Sequence, residues 1–66
     1  MKNCLKKLRA EKKITQEQLA QRAGISRTTL AMIENEKAIP DGKTIASLVK
    51  ALGVSADAIF SDLGVV

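Results

Sequence analysis

The sequence predicts an all-α fold of five short helices, and three observations carry that expectation. A helix-start pattern recurs: Ile14-Thr15 precedes Leu19, Ile25-Ser26 precedes Leu30, and Val54-Ser55 precedes Ile59. Each has an apolar residue, a hydroxyl residue, then an apolar residue four further on, which is a hydrophobic staple around an N-cap. Apolar residues elsewhere recur at helical spacing, and no window alternates as a strand does. The final "LGVV" is the one stretch that could lie extended.

The first helix is expected over about 2–12, with Cys4, Leu5 and Leu8 on one face. The second runs from Gln16 to about Ala23, where Thr15 and Gln18 have the spacing of a capping box. Gly24 ends it as a C′ glycine does, and the third helix follows at once, from Arg27 to about Asn35. After "EKAIP", Asp41 can cap a fourth helix whose inward stripe is Ile45, Leu48, Val49 and Leu52, and Gly53 closes it. The fifth is a turn or two, Ala56 to about Ser61.

At 66 residues the chain is read as one small domain over 1–66, with a marginal core. Hydrophobic content of 45% with 27% charged residues is globular rather than disordered, and with Phe60 the one aromatic the core must be aliphatic. Nothing approaches the roughly 18 uninterrupted apolar residues of a membrane span, and "MKNCLKKLRAEKK" has no signal-peptide run. A cytoplasmic location is the expectation. The single cysteine, Cys4, lacks a Cys or His partner for a metal and reads as a small buried hydrophobe. No metal site and no cofactor are expected.

Eleven basic residues against seven acidic give +4 and a pI near 9.6. Six of the basic residues crowd the first 13: Lys2, Lys6, Lys7, Arg9, Lys12 and Lys13. A charge run is usually a solvated face, but on so small a body this excess favours a polyanionic partner.

Glycine inside a helix costs about 1 kcal/mol against alanine, so Gly24 between two good helical segments needs a reason. A steep corner between helices joined by about three residues supplies one, since the turn needs φ > 0. Ala20 fits, because a small side chain lets the second helix come close. An ordinary αα-hairpin also uses glycine, but the spacing here is that of a helix-turn-helix. From Gln16 to Asn35, Leu19, Ala20, Ala23, Gly24, Ile25, Leu30 and Ile33 occupy the apolar or small positions such a unit requires.

On a wheel of roughly 100° per residue centred on Leu30, Ile33 falls beside it. Thr28, Met32 and Asn35 then point outward, with Arg27 and Ala31 on the flank. A lone surface Met needs no explanation. Here it shares a strip with Arg27 and Thr28, which can bond base edges from the start of a helix slim enough for a major groove.

With these residues in place the chain resembles the lambda-repressor-like, Cro-type (XRE) family of helix-turn-helix DNA-binding proteins. The likeness runs from "LKKLRAEKKITQEQLA" through "ALGVSADAIF", nearly the whole chain. It implies that Arg27, Thr28 and Met32 read bases: arginine favours guanine O6 and N7, and the Thr and Met carbons suit a thymine methyl. It also implies that Gln16 clamps a phosphate, which agrees with the positive end of a helix dipole there. Thr29, Asn35, Lys37 and Lys43 are weaker phosphate candidates, and the two lysines are equally read as solvated. The resemblance implies an ion pair between Arg9 and Glu34 in place of two unrelated surface charges. An inward carboxylate without a partner would be costly. The family often has Gly after the "EN" that ends its third helix. This chain has Glu36, so that turn is either strained or built differently.

"GKT" at 42–44 resembles part of a phosphate-binding loop, but Lys37 stands where that motif needs glycine and no strand leads in. With no His and no Cys cluster, enzyme chemistry has no footing. The expected function is a sequence-specific transcriptional regulator, a repressor bound to double-stranded DNA as a homodimer on a palindromic operator. The alternative is an antitoxin-type partner of a protein toxin that also autoregulates. The expected dimer surface is the C-terminal helix and tail, 55–66, through Ile59, Phe60, Leu63, Val65 and Val66. A tail folded back over its own domain is the other possibility.

Overall fold

The computed structural model describes residues 2–60. Five helices appear: α1 (Leu5–Lys12), α2 (Gln16–Ala23), α3 (Arg27–Glu34), α4 (Gly42–Leu52) and α5 (Ala56–Ile59). None of them is long and apolar enough to cross a membrane.

The first helix starts later than its apolar spacing suggests, because residues ahead of it are bound to the far end of the chain. Asn3 forms an antiparallel bridge with Phe60, and the Cys4 amide donates to the Ile59 carbonyl at 2.8 Å. The Asn3 side chain adds two more bonds: its Oδ1 accepts from the Leu5 amide at 3.1 Å, and its Nδ2 donates to the Ile33 carbonyl at 2.9 Å. Cys4 is therefore outside the helix, and it is exposed rather than buried. Of the three residues expected on one face of this helix, Leu5 and Leu8 join the core and Cys4 does not.

Each later helix opens on the side chain marked for it. Thr15 and Gln18 form both bonds of the capping box, at 3.0 and 2.8 Å. Ser26 accepts from the Thr29 amide, Asp41 from Thr44 and Ser55 from Ala58. These bonds satisfy amides that a helix start leaves without intrahelical acceptors.

The helix ends share one device. A residue with left-handed backbone follows α1, α2 and α3: Lys13 (φ 56°), Gly24 (φ 70°) and Glu36 (φ 60°). In each case the next amide reaches back to a carbonyl five residues earlier: Ile14 to Arg9, Ile25 to Ala20, Lys37 to Met32. That is the Schellman arrangement. Glu36 thus keeps the turn that glycine commonly makes, at the strain cost of a side chain with φ > 0.

α2 lies at the centre, packed against both α3 and α4, with α5 against α4. Ala20 and Ala23 are buried at those contacts, where small side chains let the helices close. The core joins them to Leu5, Leu19, Leu30, Ile33, Leu48, Leu52, Ile59 and Phe60. Leu8, Ile14, Ile25, Ile45 and Val49 pack around it. Ile59 and Phe60 are 0% exposed. This corrects the expectation that they form a dimer surface: α5 is a single turn, and both side chains at its end are spent on the protomer's own core. Leu63, Val65, Val66 and the end of the expected fifth helix at Ser61 lie outside the described residues, as does "LGVV".

Candidate nucleic-acid interface

Gly24, Ile25 and Ser26 are the whole connection between α2 and α3. Among the described residues, no heavy atom beyond the glycine and its two chain neighbours lies within 4 Å of where a Cβ on Gly24 would stand. The glycine is required by its backbone angle and not by crowding. With Ile25 half-buried and Leu30 and Ile33 buried, the inner side of α3 is fixed against α2. The opposite side is left bare.

That side carries Arg27, Thr28, Thr29, Met32 and Asn35, all exposed, with Ala31 half-buried between them. Met32 is 42% exposed, a large apolar side chain on a face otherwise polar. Thr29 Oγ1 accepts from the Ser26 hydroxyl at 2.8 Å, which leaves its own proton free to donate. Arg27 and Thr28 occupy the first turn, the end from which a helix lying in a major groove reaches bases.

Arg9 and Glu34 meet in a two-pronged ion pair. Arg9 Nε and a terminal nitrogen donate to the two carboxylate oxygens at 2.7 and 3.0 Å, and the Glu34 side chain is 0% exposed. The geometry fits the planar fork of guanidinium to the plane of a carboxylate. It fastens α1 to the end of α3. Among the described residues, every buried side-chain nitrogen or oxygen has a hydrogen-bond partner.

Two links here go beyond the residues expected from the sequence. Gln16 Nε2 donates to Glu34 Oε1 at 3.0 Å, and Gln16 Oε1 accepts from Arg27 Nε at 3.3 Å. The residue expected at a phosphate is therefore also the bridge between the buried pair and an exposed arginine; one amide proton of Gln16 stays available to a phosphate. The second link is Lys6 Nζ donating to Asn35 Oδ1 at 3.0 Å. Its signal was the three-residue spacing of Lys6 and Arg9, which puts both on one side of α1. Once Arg9 meets Glu34, Lys6 must fall near the residue after it.

Lys37 is exposed within the α3–α4 connection and Lys43 in the first turn of α4. Asp41, capping α4 beside Lys43, is held below its ordinary value near 3.8, first by the Thr44 amide and then by the Thr44 side chain, with a smaller contribution from Lys43.

The family model described as helix-turn-helix matches residues 5–59. The chain belongs to the lambda-repressor-like, Cro-type family of helix-turn-helix DNA-binding proteins. It is 40% identical over 58 residues to the immunity repressor protein of Bacillus phage phi105, covering 88% of this chain but only 40% of that repressor's length. It is 43% identical over 60 residues to an uncharacterized helix-turn-helix-type transcriptional regulator of Methanocaldococcus jannaschii, with 91% of each covered. Among solved structures, the restriction-modification controller protein C.AhdI of Aeromonas hydrophila superposes with a TM-score of 0.80 at 28% identity, over 85% of each chain.

Within this Cro-type frame α2 and α3 form the helix-turn-helix, and the position that often holds glycine after α3 is Glu36, in the same left-handed turn.

Proposed function

We propose that this Cro-type protein is a sequence-specific transcriptional repressor that lays α3 in the major groove of double-stranded DNA. One observation carries the reading: the exposed side of α3 presents Arg27, Thr28 and Met32 together, beside groups suited to phosphate. Arg27 keeps its terminal nitrogens clear of Gln16 and can donate them to guanine, while Met32 and the Thr28 methyl offer carbon to thymine. Thr29, Asn35, Lys37, Lys43 and Gln16 in the first turn of α2 are assigned to the DNA backbone, where contacts position but do not specify. The names of the phage immunity repressor and of the Methanocaldococcus jannaschii transcriptional regulator support the reading of a transcriptional regulator.

In this proposal the protein acts as a homodimer on a near-palindrome with half-sites about 34 Å apart, one turn of the duplex. With Ile59 and Phe60 committed to the core, the dimer contact falls to Leu63, Val65 and Val66 beyond them. Selection of bound duplexes from a random pool, followed by binding titrations across salt, tests the function. The expected result is one enriched near-palindrome bound with a steep salt dependence. Enrichment of no sequence would reject it.

A further inference from the structure

We infer that Glu34, a buried residue with no route to DNA, is a specificity-positioning residue that sets the attitude of Arg27 through Gln16. The inference rests on the reading of α3 as the base-reading helix. Glu34 lies two turns beyond Arg27 on α3, and Gln16 at the start of α2 stands between them.

The chemistry at both ends of Gln16 admits one arrangement. Glu34 carries an ionised carboxylate clamped by both prongs of Arg9, so it can only accept. Arg27 is a guanidinium, so it can only donate. The amide between them must turn its nitrogen to Glu34 and its oxygen to Arg27, as it does at 3.0 and 3.3 Å. A flipped amide would set oxygen against carboxylate and N–H against N–H. Arg9 and Glu34 thus fix the polarity of Gln16, and Gln16 holds Arg27 by Nε alone. That leaves the two terminal nitrogens as an oriented pair for a base edge. An exposed arginine without this anchor would sample many rotamers and lose selectivity for the same contact.

Glu34→Gln is the test, with Gln16→Leu beside it, because it cuts the link while sparing the ion pair. A neutral amide at 34 offers Gln16 either a donor or an acceptor, so the polarity is no longer imposed. Each variant is put through selection from a random duplex pool, and Arg27→Ala identifies the base column that Arg27 reads. Both variants should lower preference in that column by roughly threefold or more, a partial loss of a bidentate contact, and leave the other columns unchanged. In the free protein, NMR should show the Arg27 Nε–H and Gln16 side-chain amide signals displaced in Glu34→Gln.

A folded Glu34→Gln protein with wild-type preference in the Arg27 column, or with unmoved Arg27 and Gln16 signals, overturns the inference. If Glu34→Gln fails to fold, Gln16→Leu decides alone, and wild-type preference there overturns it equally. A wild-type protein that enriches no sequence removes the DNA reading itself, a failure distinct from an unaltered column.

Discussion

Glu36 and Gly24 hold the same left-handed backbone, φ 60° and φ 70°, with opposite comfort. The glycine sits there freely; the glutamate carries a Cβ against its own carbonyl at roughly 1–2 kcal/mol. Glu36→Gly should therefore stabilise the fold by about 0.5–1 kcal/mol, the relief being partly offset by a more flexible unfolded chain. Denaturant titration reads this as a raised midpoint with unchanged slope. Gly24→Val should move the other way by about 1–2 kcal/mol, purely through the backbone angle, since the space beside it is open. A midpoint at or above wild type would show that the corner tolerates any residue. Arg9→Ala is the more severe change. It strands a Glu34 side chain that is 0% exposed, at about 3–5 kcal/mol. That is a large part of the roughly 3–10 kcal/mol expected for a domain of this size. At this scale the sequence was informative where a residue type has one use, as at Gly24. It was silent on the bonds from Gln16 to Glu34 and Arg27, which depend on how the three residues converge in the fold.

Capping decides where these helices begin, and the caps were legible because they are local: Thr15, Ser26, Asp41 and Ser55 each bond an amide three residues on. The start of α1 was not legible, because Asn3 and Cys4 are held by Phe60 and Ile59 across the whole chain. Backbone pairing at that range leaves no periodicity to find. Asp41 makes the α4 cap titratable. Its carboxyl is held below the ordinary value, so its contribution is present above that value and is lost as pH falls through the folded value. Asp41→Asn keeps a good N-cap without the charge. Its melting temperature should approach that of wild type as pH falls below about 4, the ordinary carboxylate range. A constant difference from pH 7 to pH 3 would show that the Asp41 charge takes no part in α4.

For the whole molecule, a small core of aliphatic side chains and Phe60, built around α2, leaves one side of α3 bare. The all-α class and the helix-turn-helix were readable from staples, glycines and apolar spacing. Ile59 and Phe60 were read as surface residues but are buried in the core, because exposure at the end of a one-turn helix depends on tertiary packing, which composition does not reveal. Phe60→Glu should now unfold the domain, since truncating a buried Phe alone costs about 3–5 kcal/mol. Leu63→Glu is the proper probe of the proposed homodimer: sedimentation should show folded monomers, with binding to a full operator falling far more than binding to a half-site. A folded variant that still sediments as a dimer would place the interface elsewhere, with α1 the next surface to probe.

The most direct measurement of the central claim compares affinities of wild type, Arg27→Ala and Gln16→Ala for a selected duplex and an unrelated one at the same salt. If α3 reads sequence, Arg27→Ala should erode the ratio of the two affinities by about 1–3 kcal/mol, with binding to the unrelated duplex largely retained. Gln16→Ala should weaken both duplexes, through loss of the proposed phosphate contact, and trim the ratio less than Arg27→Ala does. Equal losses on both duplexes for Arg27→Ala, with the ratio intact, would contradict the account and remove α3 as the reading element.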